Sequence, residues 1–392
     1  MRIVVVGGCG HVGLPLSVSL ASKGHFVRAF DISESAVEKV NSGSSPFWEP
    51  GLDEVLLHAI NSGFKATTDP KSVSEAEIVI VIVGTPMDRH LNPDPNAVVS
   101  AVEEISSHLN DNQLLVLRST VFPGVTEQVE RLLLNLGVQT PVVFCPERIA
   151  EGFAMQELVE LPQIIGARND KDFLRASALF ETLGVKTIRT TSEEAELAKL
   201  FTNTWRYIKF AAANQFWMMA NDSGVNFDNV RDAIRFDYPR ASDFPAAGFT
   251  AGPCLFKDTM QLAAFSNNTF ALGNSAMMIN EGLPLYVVER LSKRYDLATL
   301  RIGLLGMAFK GESDDNRSSL AYKLKRIMRF KSAGVLTTDP YVKDDDEIMS
   351  LEDVIAGSDL LIISAPHLRY KGLQTEKPII DIWNLRGNGS AV

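Results

Sequence analysis

The sequence predicts an α/β protein built from two doubly wound Rossmann-like domains, joined by a long central helix and a helical region. Three observations carry this. The aliphatic run at residues 3–6 gives way to the glycine-rich "GGCGHVG" and then to a helical pattern. Strand-length apolar runs alternate with helical stretches up to about residue 190, and again from residue 297. Between them, "EEAELAKLFTNTWRYIKFAAANQFWMMAND" has no strand signal and carries apolar residues at helical spacing.

The first run reads as a strand buried on both faces, because it does not alternate with polar residues. The next strand is "HFVRAFDI" at 25–32, with a helix from Ser33. Further strands are expected at 78–84, 114–120, 142–147 and 163–167. Strands alternating with helices imply a parallel sheet with right-handed crossovers. A helix then fills residues 192–223, and a second helical stretch at 270–292 is expected to be interrupted by Gly282 and Pro284. Strands return at 300–309, 335–340, 360–365 and 378–383. The boundaries that follow are 1–190 for a dinucleotide-binding domain, 191–296 for a central helical region and 297–392 for a second Rossmann-like domain. The central region is expected to pack a homodimer, against the alternative that its aromatic and methionine stripe is plain core.

Composition narrows the function. The chain has 392 residues, 45% hydrophobic and 22% charged, which suits a globular protein of two or three domains. A net charge of −10 argues against broad binding to nucleic acid or anionic membrane, so an anionic ligand would need locally placed lysines and arginines. The three cysteines form neither a disulfide framework nor a zinc pattern, and they suggest a reducing compartment. The N-terminus runs straight into a strand without a leader pattern. The longest aliphatic run, residues 78–83, is far below the roughly eighteen residues that span a bilayer. A soluble, cytoplasmic protein is expected. The histidines at 11, 25, 58, 90, 108 and 367 lack ligand spacing, so no metal site is expected.

Gly8, Gly10 and Gly13 have the G-x-G-x-x-G spacing after a strand and before a helix, where a pyrophosphate would sit at the helix N-terminus. Asp31 closes the second strand, placed to accept from a ribose hydroxyl. Ile32 and Ser33 follow it rather than an arginine, which favours NAD over NADP. A glycine turn with no ligand is the alternative. Strand ends facing the same crevice carry Thr85, Ser119, Thr120 and Glu147, and for these ordinary turn chemistry is the competing reading. On the long helix Lys199 and Asn203 share a face, suited to steadying an oxyanion or to plain solvation. Glu147 and Glu151 in "CPERIAEG" are surface acids by default. Cys254 in "AGPCLFKDT" is either a small apolar core side chain or a nucleophile followed by Lys257 and Asp258.

The ordered motifs "GGCGHVGLPL", "FWEPGLDEVL", "VGTP", "RSTVFPGVT", "CPERIAEG", "AELAKLFTN", "PCLFKD" and "GMAFKGESDDNRSS" resemble those of the nucleotide-sugar 6-dehydrogenases, the UDP-glucose and UDP-N-acetylmannosamine dehydrogenase family. The resemblance spans the chain from Gly8 to "DIWN" at 381–384. It implies two successive oxidations of a UDP-sugar C6 alcohol to a carboxylate with two NAD+. The products would be uronic acids of the kind used in polysaccharide biosynthesis. It places Cys254 as the nucleophile of a thiohemiacetal and thioester, and Asp258 at thioester hydrolysis. Lys199 and Asn203 become oxyanion donors that also touch substrate. Thr120 and Glu147 become holders of the catalytic water, Thr120 also lying at the cofactor and Glu147 at the substrate. Thr85, Glu151, Lys257 and Arg317 become cofactor contacts, Glu151 reaching substrate as well, and Lys310 becomes a substrate lysine. Lys199 and Lys257 are expected to favour the Cys254 thiolate.

The chain departs from the paired glycines that often precede the cysteine: it reads "GFTAGPC", with Thr250, Ala251 and Pro253. Proline is expected to push Gly252 toward extended geometry. Arg240 in "DYPRASDF" resembles the N-acetylhexosamine branch and is read as a substrate contact, while the K-D after the cysteine resembles the UDP-glucose and GDP-mannose enzymes. The reading favours a UDP-N-acetylhexosamine of the manno type, with UDP-glucose as the alternative. Rival readings are a 6-phosphogluconate or 3-hydroxyacid dehydrogenase, which needs no thiol, and a non-catalytic nucleotide-sugar-binding protein.

Overall fold

The computed structural model describes residues 1–85, 94, 96–249, 252–267 and 269–392. His90, Thr250 and Ala251, named above, lie outside the described residues. The chain divides into two compact units, Met1–Thr202 and Asn203–Val392.

In the first unit β1 (Arg2–Val6) leads through the glycine loop to α1 (Gly13–Ser22), β2 (Phe26–Phe30), α2 (Glu34–Asn41), α3 (Leu52–Asn61) and β3 (Lys65–Thr67). Then follow β4 (Ile78–Val81), α4 (Ala97–Ile105), β5 (Leu114–Leu117), α5 (Val125–Asn135), β6 (Val142–Phe144), α6 (Ala154–Glu160), β7 (Gln163–Gly166), α7 (Asp170–Glu181) and β8 (Thr187–Thr190). The described strands form one sheet in the order β3-β2-β1-β4-β5-β6-β7-β8. Ile3 and Val5 face a core shared with Leu14 and Leu16, while Val4 and Val6 face one shared with Val98, Val102 and Val129. Burial on both faces is why the strands read as unbroken aliphatic runs.

Two details depart from expectation. β6 and β7 pair antiparallel, Phe144 opposite Gly166, so the sheet is parallel-dominated rather than parallel throughout. β3 and β8 are strands that periodicity did not reveal; β8, "TIRT", is an edge strand with an exposed middle and no apolar run.

Helix α8 (Ser192–Asp222) runs from one unit into the other. The second unit continues with α9 (Phe227–Arg235), α10 (Pro253–Phe265) and α11 (Ala271–Arg294). α11 passes unbroken through Gly282 and Pro284, against the expected interruption. An internal proline costs about 3 kcal/mol. Burial of Leu283, Val287, Val288 and Leu291, each contributing about 1.5–3 kcal/mol, outweighs it. The unit ends with β9 (Arg301–Leu305), α12 (Leu320–Lys331), β10 (Gly334–Thr338), α13 (Leu351–Gly357), β11 (Leu360–Ile363) and β12 (Ile379–Asp381). These strands form a parallel sheet in the order β10-β9-β11-β12, with Ile302 and Leu304 on one buried face and Leu305 and Ile363 on the other.

Candidate active site

In the glycine loop the three motif glycines have different physical duties. A Cβ on Gly13 would lie 2.2 Å from the Gly7 carbonyl oxygen, and one on Gly8 would lie 2.7 Å from Ala29. Both are packing glycines that let α1 close on the sheet. A Cβ on Gly10 would meet nothing nearer than 3.6 Å, so its missing side chain leaves room for a ligand rather than for protein. Gly7, which the motif spacing does not include, has φ +76°, and a Cβ there would lie 1.9 Å from the Ile82 carbonyl oxygen.

Asp31 is fixed at both oxygens, accepting from the Cys9 N–H at 3.0 Å and the Ser33 N–H at 3.1 Å. It lines a cavity of about 210 Å³ with Gly7, Ile32, Val83, Ser100 and Glu104. An apolar cleft ending in a fixed carboxylate beside an uncluttered helix N-terminus fits an adenosine and its pyrophosphate. Cys9 is buried, and its burial, with Asp31 adding to it, pushes the thiol up to about 12. It is inert at neutral pH.

Other strand ends of this unit supply the remaining groups. Thr85 is buried after β4, and Thr120 is half-buried after β5. Ser119 bridges the two strand ends, donating to the Val83 carbonyl and accepting from its N–H, each at 2.8 Å. Glu147 is buried, and its carboxylate is heavily engaged. One oxygen accepts from the Arg148 and Ile149 N–H groups at 2.6 and 2.9 Å, and the other from the Arg118 guanidinium. Arg118 is buried as well and also donates to Gln163 at 2.7 Å. Glu147 is therefore an oriented acceptor, able to take a hydrogen bond from a water.

The loop between Glu147 and α6, which carries Glu151, is held by Glu49. Buried Glu49 accepts from the Gly152 N–H at 2.7 Å and the Ala154 N–H at 2.8 Å, capping α6 from 103 residues away. Glu196, at the start of α8, likewise accepts from the Gly124 N–H, the Thr126 N–H and the Thr126 hydroxyl at 2.6–2.9 Å. It ties the loop after Thr120 to the helix that carries Lys199, which is buried. Arg118, Glu49 and Glu196 escaped the sequence reading. "FWEPG" was a visible motif, but nothing in it shows where the carboxylate goes.

In the second unit Cys254 is exposed, at the second position of α10, behind Pro253 at the first. The core reading of this thiol does not describe its surroundings. The first turn of a helix favours a negative charge, so this position suits a thiolate. The third cysteine, Cys145, is buried, and burial pushes it up to about 12 against the pull of Arg118. Gly252 has φ +99° and ψ 162°, which corrects the expectation of ordinary extended geometry. A Cβ there would lie 2.6 Å from the Phe309 ring, so only glycine lets the turn before Cys254 lie against Phe309, next to Lys310. Asp258 is fully buried; it accepts from the Asn203 amide at 2.5 Å, and Lys257 Nζ lies 3.7 Å from its other oxygen.

Lys310 is half-buried in the loop between β9 and α12. Arg317, on the same loop, grips Asp315 through Nε and Nη2 at 2.6–3.0 Å. Arg240 is exposed in a short turn, with Tyr238 beside it at 3.4 Å. Within one unit, Asn203 and Asp258 meet and the Cys254 turn abuts the Lys310 loop.

Both lobes thus have the form of dinucleotide- and nucleotide-binding folds, the first with a complete glycine-turn and acid constellation. The family models agree along the chain. The NAD-binding domain of the UDP-glucose/GDP-mannose dehydrogenase family matches residues 1–184, its central domain 193–282 and its UDP-binding domain 303–387. The chain belongs to the UDP-glucose/GDP-mannose dehydrogenase family, and is an NAD-dependent nucleotide-sugar oxidoreductase. It is 33% identical over 390 residues to a UDP-N-acetyl-D-mannosamine dehydrogenase of Pyrococcus horikoshii, covering 96% of this chain and 92% of that protein. The solved structure of a UDP-D-ManNAc dehydrogenase from P. horikoshii superposes with a TM-score of 0.91 at 32% identity, covering 98% and 96% of the two chains. A UDP-glucose dehydrogenase from Pyrobaculum islandicum superposes at 0.93 with 26% identity, covering 100% and 96%. Among the described residues no helix is long and apolar enough to cross a membrane.

Proposed function

We propose that this protein oxidises the C6 hydroxyl of a UDP-N-acetylhexosamine to the carboxylate, with Cys254 as the covalent nucleophile. The observation that carries this is the exposed thiol on the first turn of α10, followed in the next turn by Lys257 and the buried Asn203–Asp258 pair. Bound NAD+ supplies the hydride acceptor, one equivalent per oxidation. The first oxidation leaves an aldehyde. The Cys254 thiolate adds to its carbonyl carbon, and the oxyanion takes up a proton to give a thiohemiacetal. Loss of hydride from that carbon, with the hydroxyl proton leaving, gives a thioester. Water then cleaves the C–S bond, releasing the acid and restoring the thiol. The thiol matters because an aldehyde has no second hydride to give until a nucleophile adds to it.

Lys199 and Asn203 steady the oxyanion, and Asp258 assists the water in hydrolysis. Glu147 and Thr120 hold that water. Thr85, Glu151, Lys257 and Arg317 serve the cofactor beside Gly8, Gly10, Gly13 and Asp31. Lys310 and Arg240 hold the substrate. The N-acetylhexosamine is favoured over glucose by the higher identity to UDP-N-acetyl-D-mannosamine dehydrogenases and by Arg240. The domain boundaries proposed are 1–190, 191–296 and 297–392. A homodimer through the central helices accounts for exposed Trp205, Met219, Met278 and Leu285, and the compartment proposed is the cytoplasm.

The test offers a panel of UDP- and GDP-sugars with NAD+. Two NADH per UDP-N-acetylmannosamine are expected, and Cys254→Ser should form no acid. One NADH per sugar, or near-normal acid formation by the serine variant, refutes the covalent route. Saturable binding without NADH favours a binding protein. Sedimentation velocity checks the dimer.

A further inference from the structure

The C-terminal sheet carries a polar knot that the reaction as proposed leaves unused. Asp339 follows β10, and His367 follows β11; both side chains are completely buried. Asp339 Oδ2 accepts from the Met307 and Ala308 N–H groups at 2.6 and 3.0 Å and from His367 Nε2 at 3.0 Å. Its Oδ1 accepts from the Tyr341 and Val342 N–H groups at 2.8 and 3.0 Å. His367 Nδ1 accepts from the Glu312 N–H at 3.0 Å, which leaves the ring proton on Nε2 for Asp339. The Glu312 carboxylate closes the circuit, accepting from the Leu368 N–H and the Tyr341 hydroxyl, each at 2.7 Å.

Ala308 and Glu312 stand two residues before and two after Lys310. Their backbone N–H groups are both held by one His–Asp pair. The loop has no slack on this side either, since a Cβ on Gly311 would lie 2.5 Å from the Pro366 carbonyl oxygen. Fixing the backbone on both sides of a lysine restricts where its flexible stem can carry the ammonium.

We propose that His367 and Asp339 are positioning residues for Lys310, holding its loop from both sides so that the ammonium meets the nucleotide-sugar. This rests on the reading of Lys310 as a substrate lysine. Neither residue needs to touch substrate. A knot serving stability alone would not need to seize the backbone on each side of that lysine.

The test uses the full-length protein and UDP itself, titrated by calorimetry, with steady-state kinetics on the sugar nucleotide. His367→Phe removes both bonds. It should weaken UDP binding and raise the KM for the sugar nucleotide roughly 10- to 100-fold, leaving the KM for NAD+ unchanged. His367→Asn keeps an acceptor near the Nδ1 position and should recover part of the loss. Lys310→Ala should lose UDP to a similar degree, and His367→Phe added to it should cost little more. Unchanged UDP binding in both His367 variants, or losses that multiply in the double variant, overturns the positioning role. Unchanged binding in Lys310→Ala overturns the substrate assignment of that lysine, and with it the role drawn from it. If His367→Phe does not fold, His367→Asn with and without Lys310→Ala decides by the same non-additivity.

Discussion

Asp339→Asn isolates what a buried charge contributes to this fold. Burial pushes the Asp339 carboxyl up, but the His367 bond and the N–H groups of Val342 and Tyr341 outweigh it and bring it down to about 2. Against its ordinary value of 3.8, that difference is worth about 2 kcal/mol at neutral pH. A lowered folded value means that this stability is fully present above the unfolded value and is lost as the pH falls through the folded one. About half of it is gone by pH 3. Asparagine also turns an NH2 toward donors that the carboxylate satisfied, the Met307 and Ala308 N–H groups and His367 Nε2. Leaving such buried donors unpaired costs a further 1–3 kcal/mol, roughly independent of pH. The expected gap between parent and variant is therefore about 4 kcal/mol at pH 7, narrowing by about 1 kcal/mol at pH 3. Urea unfolding followed by far-ultraviolet circular dichroism at both pH values measures it. A gap that stays constant or widens toward pH 3 refutes the assignment of a charge-dependent share to Asp339.

The two kinds of motif glycine separate by readout. Gly10→Ala should leave the melting temperature within about 2 °C and weaken NAD+ binding at least tenfold, whereas Gly13→Ala should lower both, checked by differential scanning calorimetry and NAD+ titration. Equal melting losses would sink the distinction. Asp31→Ser should cost roughly tenfold in NAD+ affinity through the lost ribose bond, and should raise NADP+ use by removing a charge from the 2′-phosphate position; competition kinetics decide, and unimproved NADP+ turnover counts against it. Glu49→Gln should raise the KM for NAD+ several-fold by loosening the Glu151 loop, and should add little to Glu151→Gln in a double-mutant cycle; fully additive effects would show that Glu49 serves only the α6 cap.

Much of the architecture was legible because it is written locally. Burial on both faces requires unbroken aliphatic strands, and a tight turn against a helix requires glycine at set intervals, so β1, the loop, α1 and Asp31 could be read without coordinates. The order of strands along both lobes and the long α8 follow from the same periodicities. Strands β3 and β8 did not show because each is only three or four residues long and carries no unbroken apolar run. The passage of α11 through Pro284 did not show because the burial that overrides proline comes from partners far along the chain.

The candidate site divides along the same line. Cys254, Lys257 and Asp258 stand together in sequence, and Lys199 with Asn203 on one helix, so their grouping was visible. Sequence alone determined that this chain holds a dinucleotide turn and a thiol with charged neighbours. Tertiary structure decided that the thiol is exposed while Cys9 and Cys145 are sealed, and that Arg118, Glu49 and the Asp339–His367 pair hold Glu147 and the loops carrying Glu151 and Lys310. A buried carboxylate persists only where its donors arrive, and here those donors come from 28, 29 or 103 residues away, beyond the reach of any local pattern.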